Sequence, residues 1–267
     1  MKNVWLLIIT VMCAPLLMPC DASAGPALDR ILQRKELIVG ISGNQPPLNA
    51  TTKEGQIIGL DADLATYIAA GMGVKLTFSP MPFPELLPAL LSGKVDVVVS
   101  GMSMAPDRNL KVAFVGPYFV SGKSIVTTSE KSDSLSSPAD LNAPDITLVA
   151  LEGSTSQTLV KTVIPTAKLI TTPDYDKALD LVIQGKADAM VADYPFCALA
   201  VLRNPEKKLS TLDEPFTFEP LGIAVPPDDP LLINWIQNFL MTIEGSEGLQ
   251  TLTDRWFKDS SWLKQLP

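Results

Sequence analysis

Apolar positions along the chain alternate between short continuous runs and stripes repeating every four residues. Residues 37–41, 74–78, 95–99, 146–151, 168–171 and 189–192 are the runs, and they predict strands buried on both faces. The stripes predict helices. Leu60, Leu64 and Ile68, with Ala65 and Ala69, form one stripe, with Asp61 as its cap and Gly71 and Gly73 closing it. Further helices are expected over residues 25–35, 83–91, 155–163, 175–184, 231–243 and 248–257, and after Asp193 around Phe196, Cys197 and Leu199. Residues 112–114, 125–128 and 216–225 read as extended, with Ser121-Gly122-Lys123 as a crossing point. Strands alternating with helices predict parallel α/β layers.

Two segments repeat one pattern: residues 91–100 (LSGKVDVVVS) and 183–192 (IQGKADAMVA). Each is a helix stopped by Gly, a Lys-x-Asp turn and then a buried strand. At 267 residues the chain is long enough for two modest lobes, each with its own core. The repeat suggests lobes of related build. If residues 125–212 form an inserted lobe, residues 25–124 and 213–267 form the other, and the two strands crossing between them make a hinge.

In open α/β sheets ligands bind beyond the carboxyl ends of the strands. Four places qualify: the polar loop after Ile41, containing Ser42, Asn44, Gln45 and Asn49; Ser100 to Arg108; Gly153 to Thr155; and Asp193. Arg108 is the only Arg between Arg34 and Arg203. Its planar fork beside Ser100, Gly101 and Ser103 suits a carboxylate. Taken alone, a solvated surface Arg is the default. The company of the other strand ends changes that balance.

Composition narrows the classes. A net charge of -8 without a basic stripe argues against nucleic acid. The chain has no His, which excludes Ser-His-Asp and Cys-His catalysis and removes the commonest transition-metal ligand. No metal or cofactor is expected. Lys2, the apolar run of residues 4–18 and Ala22-Ser23-Ala24 before Gly25 read as a secretory signal peptide cleaved after Ala24. Lipidation at Cys20 is a poorer match because Pro19 stands beside it. Cleavage removes Cys13 and Cys20 and leaves Cys197 without an internal disulfide partner.

With these pieces assembled, residues 27–262 resemble the periplasmic solute-binding proteins of ABC importers, in the branch that binds amino acids. The resemblance rests on Gly59-Leu60-Asp61-Ala62-Asp63-Leu64, residues 83–87, Gly101 to Arg108, Pro117-Tyr118-Phe119, Gly153-Ser154-Thr155 and Val191-Ala192-Asp193. It implies a two-lobed clamshell, a monomer in the periplasm that captures a small ligand and docks on a membrane permease. It also implies site roles. Arg108 would pair with the ligand α-carboxylate, helped by the Ser103 hydroxyl and the N–H groups of the Ser154 and Thr155 turn, in the strand-end loop that includes Gly101. Asp193 would take the α-ammonium, although apart from the family pattern it reads as a strand-end or helix-cap residue. Phe83 would lie against the ligand's apolar part. Asn44, Gln45 and Asn49 would read its side chain or simply shape their turn. Members that bind cationic side chains tend to have an Asp where Ser42 stands and an aromatic where Gln45 stands, so Lys or Arg is disfavoured as ligand. The chain is also similar to cyclohexadienyl dehydratases, at Leu28-Asp29-Arg30-Ile31-Leu32 and Gly185-Lys186-Ala187-Asp188. Those enzymes need a Glu three residues beyond the strand-end Asp, where this chain has Phe196. The same clamshell also serves as a sensor module for membrane signalling partners.

Overall fold

The computed structural model describes residues 25–267, and the expected signal peptide, its cleavage site and Cys20 lie outside the described residues. The strands, in chain order, are β1 (Glu36–Ile41), β2 (Asn44–Gln45), β3 (Asn49–Thr51), β4 (Ile57–Ile58), β5 (Lys75–Pro80), β6 (Val97–Val98), β7 (Ala113–Ser121), β8 (Lys123–Thr128), β9 (Thr147–Leu151), β10 (Lys168–Thr172), β11 (Ala189–Asp193), β12 (Leu209–Thr211) and β13 (Glu219–Val225). They form two five-stranded sheets, ordered β5-β1-β6-β13-β7 and β10-β9-β11-β8-β12, with β2-β3-β4 as a small third sheet. The molecule is a two-lobed periplasmic-binding-protein fold.

The expectation of parallel layers holds for β1 with β5 and β6, and for β9 with β10 and β11. It fails for β7, β8, β12 and β13, which pair antiparallel. These strands carry the chain from one sheet to the other with no helix in between, so nothing brings them back in the same direction. β7 ends in the first sheet at Ser121 and β8 starts in the second at Lys123. Gly122 joins them in a tight space: a Cβ there would lie 2.1 Å from the Thr217 carbonyl oxygen of the returning chain.

The repeated Gly-Lys-x-Asp segment has the same structural task in both lobes. The Ile38 N–H of β1 donates to Asp96 at 2.8 Å, and the Thr147 N–H of β9 donates to Asp188 at 2.7 Å. Each carboxylate also meets a base, Arg34 for Asp96 and Lys131 for Asp188. Each Asp therefore ties the start of its own strand to the parallel neighbour.

Several expected elements are altered. Asp61 does not cap its helix, Leu60–Met72: Gly59 holds the N-cap position, and the Asp61 side chain turns inward, fully buried. Gly71 lies inside that helix, where a Cβ would meet Phe239 at 2.8 Å, and only Gly73, in the left-handed region, ends it. The segment after Pro82 splits into a 3-10 turn, Phe83–Glu85, and a helix, Leu86–Leu91. Pro84 and Pro88 each lack an N–H and are accommodated in the first turns. The valine run forms a strand only at Val97–Val98, with the Asp96 and Val99 N–H groups bonding to β1 on either side, at the Ile38 and Gly40 carbonyls.

Asp229 joins the chain's two ends. Fully buried, it accepts the N–H groups of Ala27 (2.9 Å) and Leu28 (2.7 Å) in the helix Pro26–Arg34, and that of Leu232 (3.0 Å) in the helix Pro230–Gly245. One core fills the first lobe around Leu37, Val39, Ile68 and Ile236, and another fills the second around Ile125, Leu148 and Val191. A further apolar group joins Met81, Phe83 and Leu86 of the first lobe to Tyr175, Val182 and Phe196 of the second.

Candidate functional site

The carboxyl ends of both sheets face each other, and their polar residues touch. Arg108 lies in the short helix Pro106–Asn109 and is buried against solvent at 7% exposure. Its Nη1 donates to the Ser103 carbonyl at 3.0 Å, and its Nη2 donates across the cleft to the Gly153 carbonyl at 2.9 Å. The guanidinium also lies 5.5 Å from the centre of the Phe83 ring. Among the described residues no carboxylate comes within 4.0 Å of it. Burial pushes the guanidinium below its ordinary value, with Asp107, Glu219 and Asp193 working in the opposite direction.

From the other lobe, Thr155 donates to Glu219 at 3.1 Å and stands 3.2 Å from the Ser103 hydroxyl. Ser154 is spent locally. Its hydroxyl caps the helix Thr155–Val163 by accepting from the Gln157 N–H, and its own N–H donates to the Leu151 carbonyl. The Ser154 amide expected to meet an anion is therefore committed to its own turn.

Asp193 ends β11, and although it takes the N-cap position of the next helix it makes no capping bond. Its Oδ1 accepts from Lys123 Nζ at 2.8 Å; its Oδ2 accepts from Gln45 Nε2 at 2.9 Å and from the Tyr175 hydroxyl at 3.4 Å. Lys123 Nζ also lies 3.8 Å from Glu219 Oε2. Gln45, Ser103 and Arg108 from one lobe thus bond to Asp193, Thr155 and Gly153 from the other, so the clamshell is closed.

Two buried oxygens in the polar loop lack any partner, Gln45 Oε1 and Asn44 Oδ1. Gly101 has a positive φ of 54°, and a Cβ there would lie 2.5 Å from Gln45 Oε1, so only Gly lets that amide approach the cleft floor. Asn49 does not face the cleft. It accepts from the Ser42 hydroxyl and the Gly43 N–H, and donates to Asp61 at 2.7 Å.

The residues that sequence reasoning missed are Lys123, Glu219, Tyr175, Asp61 and Tyr118. Lys123 and Glu219 each begin a strand at a crossing between the lobes, and a charged residue at the head of a crossing strand was the available signal. Asp61 lies behind the polar loop and accepts from Tyr118 at 2.7 Å as well as from Asn49. Burial pushes its carboxyl up to about 7, against the opposing pull of those two donors. A carboxyl raised in the fold holds a proton that the unfolded chain has already released, so the native state binds more protons between roughly pH 4 and pH 7. Stability from this group is present below the unfolded value and is lost as pH rises through that window. Denaturant unfolding of Asp61→Asn at several pH values should show a flatter dependence there than the parent chain.

Two further features lie apart from this chemistry. A mostly apolar groove of about 600 Å³ between Phe119, Tyr194, Phe218 and Trp256 contains neither Arg108 nor Asp193. Among the described residues no three His, Cys, Asp or Glu side chains gather as metal ligands.

A model of the bacterial extracellular solute-binding proteins, family 3, matches residues 37–259. The chain belongs to this family. Among its relatives, this family 3 chain is 29% identical over 221 residues to the ABC transporter arginine-binding protein 1 of Escherichia coli, covering 82% of this chain and 89% of that one. It is 26% identical over 231 residues to the cyclohexadienyl dehydratase of Pseudomonas aeruginosa, covering 86% of each. Among solved structures, the putative binding component of an ABC transporter from Wolinella succinogenes, complexed with lysine, superposes with a TM-score of 0.82 at 37% identity, covering 86% of this chain and 99% of that one. The relatives thus include binding proteins and one enzyme. No helix among the described residues is long and apolar enough to cross a membrane.

Proposed function

We propose that this chain captures an L-amino acid outside the cytoplasm and delivers it, as a monomer, to a membrane ABC permease. The observation that carries the reading is Arg108: a buried cation where the lobes meet, holding only carbonyl oxygens and no acid. A guanidinium has five donors in a planar fork, and a carboxylate from a ligand fits it in two-point fashion. Asp193 from the other lobe and Glu219 from Arg108's own lobe supply the negative side for an α-ammonium, Ser103 and Thr155 the hydroxyls from either side of the cleft, and Phe83 an apolar wall. Gln45 Oε1 and Asn44 Oδ1 are acceptors awaiting a donor.

Residues 25–124 with 213–267 act as one body and residues 125–212 as the other, swinging about Ser121-Gly122-Lys123 and the return before β13. Opening breaks the bonds Gln45–Asp193, Ser103–Thr155 and Arg108–Gly153; ligand replaces them on closing. The naming of amino-acid binders among the relatives supports this reading. Dehydratase chemistry is a weaker second reading because Phe196 is an apolar ring stacked 4.5 Å from Tyr175, with nothing to give or take a proton.

The test is thermal melting of refolded, ligand-stripped residues 25–267 against the standard L-amino acids and prephenate. A ligand at about 100 times its dissociation constant adds ~2.7 kcal/mol, which at ~2–4 °C per kcal/mol raises Tm by roughly 5–11 °C. A shift with one or a few amino acids is expected. No shift with any of them, or turnover of prephenate, would defeat the proposal.

A further inference from the structure

We infer that Lys123 sets the charge of the ligand, making the cleft selective for amino acids with uncharged side chains over lysine and arginine. The inference rests on the amino-acid capture proposed above. Lys123 is 1% exposed, in a strand whose register places it directly opposite Asp193. Its backbone is pinned as well: the N–H donates to the Thr217 hydroxyl at 2.8 Å, and the carbonyl accepts from the Phe216 N–H at 2.8 Å. The backbone therefore keeps Lys123 at the cleft, and Asp193 holds its ammonium there at 2.8 Å.

Its position fixes the charge balance. Asp193 at 2.8 Å and Glu219 at 3.8 Å are the only carboxylates within 4.0 Å of Lys123 among the described residues, and Arg108 has none. Two cations thus face two acids before any ligand arrives. A zwitterion leaves this balance unchanged, since its carboxylate meets Arg108 and its ammonium shares Asp193 and Glu219 with Lys123. A lysine or arginine ligand adds another buried positive charge with no acid left to receive it. An unpaired charge in such a closed, desolvated cleft is strongly disfavoured. A neutral side chain leaves the balance unchanged, and one with an acceptor gains a donor in Lys123.

The test is calorimetric titration of the stripped protein with glutamine, lysine and arginine, repeated with Lys123→Met. The parent chain should bind glutamine at least tenfold more tightly than either cation. Lys123→Met frees two carboxylates and should shift the ratio of cationic to neutral affinity by tenfold or more towards the cations. If Lys123→Met fails to fold, Glu219→Gln, which keeps an acceptor for Thr155, reads the balance from the other side and should shift the same ratio further against the cations. Binding of lysine or arginine by the parent at or above the affinity for glutamine overturns the inference alone. So does an unchanged ratio in the variants. Failure of the parent to bind any amino acid in the melting panel overturns the capture reading itself, and this inference with it.

Discussion

Arg108→Ala should weaken amino-acid binding several hundredfold or more in calorimetric titration. The guanidinium is buried, so the ligand carboxylate it holds has no water to fall back on once the cation is gone. Breaking one side of such a pair costs about 3–5 kcal/mol, and each 1.4 kcal/mol is tenfold in affinity. The same truncation strips donors from the Ser103 and Gly153 carbonyls, the second of which ties the lobes together. The ligand-free closed form is therefore weakened as well. Arg108→Lys keeps the charge but loses the fork, and should fall between the two. Affinity within a few-fold of the parent chain for Arg108→Ala, with an unchanged ligand-free melting curve, would remove Arg108 from the site.

Asp229→Ala should cost about 3–5 kcal/mol of stability, seen as a fall in Tm of roughly 6–20 °C, while leaving ligand affinity within about threefold. One carboxylate satisfies three buried N–H groups from two helices, and these bonds to an ionised acceptor are the stronger kind. The methyl of Ala leaves all three donors stranded at helix starts, where negative charge was also favoured. Asp229→Asn keeps an acceptor oxygen and should lose less. The two substitutions discriminate cleanly: one acts on the cleft, the other on the seam where the helices Pro26–Arg34 and Pro230–Gly245 meet.

What could be read from sequence follows how local its physical cause is. Arg108, Ser103, Thr155 and Asp193 stand at strand ends, and strand ends follow from runs of apolar residues, so their gathering at one cleft was legible. The Gly-Lys-x-Asp repeat was visible too, but not its task of pinning β1 and β9, because the bonded amides are 58 and 41 residues away. Asp61 looked like a cap because capping is a local preference, whereas its partner Tyr118 lies 57 residues along the chain. Lys123 was hidden for a different reason. Its pairing with Asp193 depends on antiparallel register, which a pattern of alternating strands and helices had suggested would be parallel. Asn49 was grouped with Asn44 and Gln45 as a turn residue, and only folding separates Asn49, which braces the loop, from Gln45, which reaches across the cleft to Asp193.

The placement of β13 also sets a timetable for synthesis. That strand sits between β6 and β7, inside the first sheet, yet it is made last. The five strands of the second sheet, from Lys123 to Thr211, are by contrast uninterrupted in the chain. The lobe begun first is therefore the one finished last, and until residue 225 emerges β6 and β7 remain open edges with no strand to bridge them. A nascent chain stopped short of Glu219 would hold a complete set of strands for the inner lobe, with Asp193 and Thr155 in place, beside an outer lobe unable to close.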